Sequence, residues 1–501
     1  MKKIVAWFGG RHYALAVLTV FIIAAVLRLY RIGEFATFLG DQGRDAIIMK
    51  SIGTFSDFTA LGPITSVGSI YLGPLYYYLM APWLMLFRLD PVGPAYGVAL
   101  LSLIAIVLQY LAVKDLSDRL TALISIILTS CAWVLVEYSR FSWNPNLLPP
   151  VAFFAVYTAI KAAQTHKLVW YILMGVLLSV AVQLHYLAAL LLPTCGLVLL
   201  AGVLFEKKKK WLAFFMGIFA SFFSFCALLA PFILFEIKHS FPNTTSMLRF
   251  SGENSAKTTS NPITEMFDTA HHLFSFVFQI KEVGLYGGAA LLCLLCLPII
   301  IPYMTAKKRI SLLDRPIVIL AFSSLLLLFG TSFYNGPKYP HYLGALYLFM
   351  YVQTAYLLTL VIRHTPRYVG PAITAVVIAA FIYSNGSHFL FLWQADGPRQ
   401  IDRARDVAKV IVTMNPRDPF VFTMSPQAYA DYPYRYFLDA MGHKPIGKEE
   451  DSTIITKDLI VICETKCDPT KDSQWAIAHF SPRRTSGEKT ASGIYIYKLT
   501  K

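Results

Sequence analysis

The residues best placed to do chemistry begin at Asp41. The stretch "GDQGRDA" (40–46) puts Asp41, Arg44 and Asp45 close together along the chain. Four-residue spacing sets Asp41 and Asp45 on one face of any helix that starts near Gly40. A carboxylate in that position can act as general base toward a hydroxyl. It can also hold a divalent metal (Mg2+, Mn2+ or Zn2+), with His185 as a second ligand. The same residues have a purely structural explanation, with Asp41 as a helix N-cap and Arg44–Asp45 as a surface ion pair.

Three further clusters carry reactive or recognition groups. "YNGPKYPHYL" (334–343) contains Lys338, His341 and Tyr342, an ammonium, an imidazole and a phenol suited to the developing charge of a phosphate leaving group. Snorkelling and interfacial aromatics account for the same composition. "SRFSWNPN" (139–146) supplies Arg140 as a second phosphate contact, and Trp143 and Asn144 as sugar contacts. A turn with an interface anchor is the alternative there. His185 in "QLHYL" and Tyr76 in "LGPLYYYL" complete the candidate substrate contacts. The Gly-rich run from Leu61 to Tyr78 can bring backbone amides close to an anion, or simply turn.

Positioning these groups falls to apolar elements. The chain has 501 residues, of which 56% are hydrophobic and 15% charged, where a soluble protein of this size carries about 25% charged residues. Apolar runs separated by short polar breaks predict a polytopic α-helical membrane protein. The net charge of +15 therefore speaks for basic loops beside a bilayer and not for nucleic acid. Spans are expected at 12–28, 94–113, 120–137, 147–163, 168–185, 187–205, 211–234, 285–304, 315–333, 342–362 and 368–386. The basic N-terminus before the first of these reads as part of an uncleaved span. The apolar run Tyr71–Phe87 is left out of the crossings on grounds of charge. Without it, the basic N-terminus and the basic stretches 114–119, 161–167, 206–210, 306–315 and 363–367 all share one side, as the positive-inside rule requires. Eleven crossings follow, with a cytoplasmic N-terminus in the cell membrane. Tyr71–Phe87 then lies in the outer interface, as a proline-bent, aromatic-flanked helix can.

This topology puts a first outer loop (29–93), a large outer loop (235–284) and the short breaks at 138–146, 184–186 and 334–342 on the outer side, with every reactive cluster among them. It divides the chain into a transmembrane module, 1–390, and an extracytoplasmic domain, 391–501. In the latter, 419–425, 459–464 and 493–499 read as strands, and 397–414 and 432–441 as helices, giving a small α/β fold without a Gly-rich phosphate loop. No nucleotide cofactor is expected. Five of the seven cysteines lie in apolar runs and read as core residues. Cys463 and Cys467 stand apart and suit a local disulfide outside the cytoplasm, with two free thiols as the alternative.

The order of these motifs resembles the GT-C membrane glycosyltransferases, in particular glycosyltransferase family 39, which includes protein O-mannosyltransferases and the lipid A aminoarabinose transferase. The resemblance rests on "GDQGRDA" after the first span, "LGPLYYYLMAPWL", the short-loop spans and the outer C-terminal domain, nearly the whole chain. It implies a polyprenyl-phosphate-linked sugar as donor and a hydroxyl on a lipid, glycan or protein as acceptor. It also implies inversion at the sugar, with Asp41 as general base and Lys338, His341 and Tyr342 at the lipid phosphate. Gln42 stands where the family carries a second acid, and Asp45 is expected to take part of that role.

Two other classes compete. A transporter or flippase calls for ionisable groups near mid-span and repeat symmetry, and neither is seen in the sequence. A non-catalytic membrane-anchored binding protein would work through the C-terminal domain alone. Topology is tested with reporter fusions. An extracytoplasmic signal is expected after Phe87 and a cytoplasmic one after Lys210; a cytoplasmic signal after Phe87 rules out the eleven-span arrangement.

Overall fold

The computed structural model describes residues 10–65, 70–206, 210–257, 261–280, 284–305, 315–334, 336–426, 428–446, 456–481 and 483–501. Each predicted span falls on helical structure, with 120–137 broken at Ala132 and 211–234 at Leu229. Among the described residues, eight helices are long and apolar enough to cross a membrane, from Arg11–Leu29 to Val369–Gln394. Arg119–Cys131, Leu168–Leu184 and Pro316–Ser332 are shorter apolar helices at the other three predicted positions. Much of the basic stretch 306–315 lies outside the described residues.

The interfacial run forms a helix, Leu75–Leu86, of 12 residues. At about 1.5 Å per residue it is too short for a hydrocarbon core about 30 Å thick. One face, Tyr76, Tyr77, Met80, Ala81 and Leu84, is buried, while Leu79, Met85 and Leu86 on the other are exposed.

The loops separate to two ends of the bundle. At one end, basic and acidic residues from successive breaks join: Lys161–Asp115 at 2.9 Å, Arg363–Asp118 at 3.1 Å and His166–Glu206 at 3.0 Å. At the other end, the clusters at 41–44, 143–145, 185–187 and 334–342 line a common cavity. These are the segments that the positive-inside rule groups.

The site helix, Gly40–Gly53, carries "GDQGRDA". Its buried residues, Gln42, Asp45, Ala46, Met49 and Ile52 among them, recur at the three- and four-residue spacing of a single helical face. The N-cap is Leu39, not Asp41, which sits in the first turn. The Gln42 Oε1 accepts from Leu39 N at 3.0 Å, so one of the helix's unpaired amide donors is met by a side chain. Phe38 N donates to Gln400 Oε1 at 2.8 Å, which ties the entry of this helix to the C-terminal region.

That region forms a four-stranded sheet in the order β1 (Val421–Ser425), β2 (Asp458–Cys463), β4 (Ile494–Thr500), β3 (Arg484–Ala491). β1 and β2 are parallel; β4 is antiparallel to both of its neighbours. The helices predicted there are Gln400–Thr413 and Tyr432–Ala440. β3 was not expected. Its sequence "RTSGEKTA" is polar and mostly exposed, as an edge strand guarded by charge is. Cys463 and Cys467 are joined by a disulfide.

Helix Tyr432–Ala440 lies across the site helix. A Cβ on Gly43 would meet Pro433 N at 2.4 Å and the Tyr432 carbonyl carbon at 2.5 Å, so only glycine permits the contact. Lys50 pairs with Asp439 at 2.8 Å, Tyr436 OH donates to Leu89 O at 2.6 Å, and Phe38 packs edge-on against Tyr436 and Phe437. Gly43→Ala forces two backbones apart and is expected to cost about 1–3 kcal/mol. The readouts are a lower Tm in detergent and faster proteolysis of the C-terminal domain; an unchanged Tm contradicts the close contact.

Candidate active site

Loop ends, not span interiors, build the cavity of about 270 Å3. The site helix contributes Asp41 and Arg44 to its wall, and the 143–145 break contributes Trp143 and Asn144. His185 comes from the junction of two helices, and Tyr334, His341 and Tyr342 come from the late loop. The hairpin closed by the Ile64–Tyr71 bridge adds Pro63, Ile64, Ile70 and Leu72. Residues 66–69, at the centre of the predicted amide-rich turn, lie outside the described residues. Met247 and Phe250 enter from helix Pro242–Lys257.

Asp41 is half exposed, and its Oδ1 lies 3.1 Å from Arg44 Nη1. The same guanidinium donates through Nε and Nη2 to Asp45 Oδ1, at 3.0 and 2.8 Å. Asp45 is almost wholly buried and does not line the cavity. Its Oδ1 also accepts from Tyr77 OH at 3.0 Å, while Oδ2 has no protein partner. Burial pushes the Asp45 carboxyl up to about 6, with Arg44 holding it from rising further. The expectation that Asp45 stands in for a second acid at the reacting atoms is corrected accordingly: it lies beneath Arg44, turned away from the cavity.

The aromatic part of the wall is continuous. Trp143 meets His341 edge-on at 4.6 Å between centroids, and His341 meets Tyr342 at 4.4 Å. His185 lies 5.2 Å from Tyr342 and 5.9 Å from His341. His185 Nδ1 accepts from Leu187 N at 3.3 Å, which leaves Nε2 to carry the proton of a neutral ring. Asn144 Nδ2 is committed to Leu184 O at 2.7 Å, so it ties its loop to the end of a span while lining the cavity.

Three of the predicted contacts are structural. Arg140 is buried and donates to Leu27 O at 2.7 Å and Tyr30 O at 2.8 Å, satisfying carbonyls at the end of the first span. Burial lowers its guanidinium to about 10. Tyr76 is buried and shares a 2.7 Å hydrogen bond with Ser142, fastening the 138–146 loop to the interfacial helix. Lys338 donates to Tyr334 O at 2.5 Å and faces Glu265 at 3.5 Å; it is not part of the cavity wall.

Among the described residues, no three His, Cys, Asp or Glu side chains gather where one ion could be held. Arg44 already places a cation against Asp41.

The sequence reading missed Tyr77, Met247 and Phe250. The last two ride on a helix whose start, "FPNTT", has a proline and hydroxyl pattern that marks a helix N-terminus. The Glu236 carboxylate accepts from the backbone and side chains of Asn243 and Thr244 at 2.7–3.1 Å. Asn243 Oδ1 accepts from Tyr71 N at 2.8 Å, and Tyr186 OH donates to Tyr71 O. These bonds bring the helix over the cavity.

Residues 72–227 match the protein family described as dolichyl-phosphate-mannose-protein mannosyltransferase. That region holds Trp143, Asn144 and His185 but neither Asp41 nor the late loop. The fold is similar to the crystal structure of ArnT from Cupriavidus metallidurans bound to undecaprenyl phosphate, with a TM-score of 0.57 and 12% identity over 97% of each chain. It is also similar to the archaeal oligosaccharyltransferase AglB from Archaeoglobus fulgidus in complex with an inhibitory peptide and a dolichol-phosphate. That TM-score is 0.54, with 13% identity over 94% of this chain and 71% of that one. No curated protein sequence matches the chain. The architecture is the GT-C membrane fold, a helical bundle with a small C-terminal sheet domain. The family match and the fold together support the resemblance to glycosyltransferase family 39.

The division between structural and cavity residues is testable. Arg140→Met is expected to lower stability by about 1–3 kcal/mol, because it strips buried carbonyls of their donors. Trp143→Ala, on the cavity wall, is expected to change Tm little. Thermal unfolding in detergent separates the two, and an unchanged Tm in Arg140→Met removes its bracing role.

Proposed function

We propose that this protein moves a sugar from a polyprenyl-phosphate carrier to an acceptor hydroxyl at the outer face of the cell membrane. The carrying observation is the pairing of one half-exposed carboxylate, Asp41, with one guanidinium, Arg44, on the wall of a cavity that also presents Trp143, His341 and Tyr342. The family name that matches residues 72–227 specifies a lipid-phosphate mannose donor, and the two similar structures hold polyprenyl phosphates. The orientation follows from the positive-inside rule, with the N-terminus cytoplasmic and the C-terminal domain extracytoplasmic.

In this reading Asp41 takes the proton of the acceptor hydroxyl as its oxygen attacks the anomeric carbon. The bond from that carbon to the phosphate oxygen breaks, and the lipid phosphate leaves with the bonding electrons. Arg44 stabilises the phosphate charge as it develops. A lipid phosphate is already a good leaving group, so protonation by an acid is not needed. A retaining route calls for a carboxylate nucleophile and, in its second step, a separate base for the acceptor hydroxyl. Among the described residues lining the cavity, Asp41 is the one carboxylate, so a single displacement with inversion is the route these groups support. His185, His341 and Tyr342 offer neutral polar groups for sugar hydroxyls, and the indole of Trp143 offers an apolar surface for a ring face.

The test is transfer by purified protein from radiolabelled polyprenyl-phosphate sugars to an extract of cell-envelope glycolipids and glycoproteins. Asp41→Asn is expected to lower kcat by about 10^2- to 10^4-fold with donor binding retained. Equal rates remove Asp41 from the base role, and no transfer from any lipid-linked sugar by the unaltered protein rejects the reading.

A further inference from the structure

We propose that Tyr77 and Asp45 are positioning residues that anchor Arg44 by one edge, leaving its Nη1 to pass from Asp41 to the donor phosphate and so unmask the base. The proposal rests on the glycosyltransferase reading and goes beyond it, because neither residue touches the cavity.

The geometry of one guanidinium carries the inference. Arg44 spends Nε and Nη2 on the buried Asp45 Oδ1, and only Nη1 on the half-exposed Asp41. An Arg holding a phosphate by one edge needs its other edge fixed, because a free four-bond side chain loses rotamer entropy on binding. Asp45 supplies that fixed edge from the same helix. Tyr77 OH, on the interfacial helix, supplies a third donor to the same Asp45 oxygen. Three donors thus converge on Oδ1, while Oδ2 is buried and without a protein partner.

With no donor bound, Asp41 is held in an ion pair with Arg44, and the paired oxygen is occupied. An arriving phosphate competes for Nη1. When it wins, Asp41 is released from Arg44 and its oxygen is free to accept from the acceptor hydroxyl beside the phosphate. The anchor keeps Arg44 in place during that exchange. The groups facing Asp45 are Arg44 and Asp41 on its own helix and Tyr76 and Tyr77 on the interfacial helix. From the C-terminal domain, Asp439 is engaged by Lys50 further along the site helix.

The titration of Asp45 gives a readout that loss of packing does not. Removing the Tyr77 hydroxyl takes a donor from the charged form of Asp45, so its proton is held to higher pH. Oδ2 receives that proton, and the attraction for Arg44 falls.

The experiment measures steady-state transfer and its pH profile for the full-length protein in lipid nanodiscs. Tyr77→Phe is expected to lower kcat about 5- to 30-fold with KM changed less than about twofold, and to move the acid limb of kcat upward by about half a pH unit or more. Asp45→Asn should lower kcat further and abolish the part of the limb that Tyr77→Phe displaces. Arg44→Lys, which cannot bridge two partners by separate edges, should not rescue. Tm of each variant is recorded so that rates are compared per folded molecule. If folded Tyr77→Phe and Asp45→Asn both keep kcat within about twofold and the acid limb unmoved, while Asp41→Asn is inactive, the anchor is wrong and the base assignment stands. If Asp41→Asn is fully active, the glycosyltransferase reading of this site fails, and the anchor fails with it.

Discussion

A buried carboxylate is expensive unless it is paired, and the site is organised around meeting that cost at Asp45. Arg44 neutralises it, Tyr77 shares the load, and Arg44 is thereby fixed where it also reaches Asp41. Breaking such a pair from one side leaves a charge stranded in a low-dielectric setting. The interaction therefore constrains the site helix, the interfacial helix and the cavity wall at once. Arg44, which reaches Asp41, is thus held by a residue that does not line the cavity.

Around this pair the fold acts as a frame with two layers. Spans bring loop ends together, and side chains such as Arg140, Tyr76 and Asn144 hold those ends by bonding to the terminal carbonyls and hydroxyls of neighbouring segments. The aromatic wall from Trp143 through His341 to Tyr342 then stands on braced supports. Helix Pro242–Lys257, held by Glu236 and Asn243, covers the cavity from the side of the large loop.

Much of this was legible in the sequence. Apolar length revealed the spans, and the distribution of Lys and Arg told which loops share an end. Asp41, Arg44, Trp143, His185, His341 and Tyr342 do line one cavity. Residue type could not tell a cavity residue from a brace. Arg140 and Lys338 have the charge a phosphate needs, but carbonyls at 2.5–2.8 Å claim them. Gln42 looked like a missing acid until its bond to Leu39 showed a capping role. Gly43 was invisible because its importance lies in a backbone contact with Pro433, and no local pattern reports a contact over that separation. β3 escaped because an edge strand with both faces polar lacks the alternation that marks a strand.

The contact between the site helix and helix Tyr432–Ala440 joins residues 389 positions apart in the chain, as at Lys50 and Asp439. During synthesis at about 5–20 residues per second, the second partner follows the first by about 20–80 s. Through that interval the membrane bundle can insert while its site helix lacks the surface that seats Gly43. Seating of the site helix is then a late event of biogenesis. A chain truncated before residue 430 would reach the membrane with its cavity residues present and unaligned.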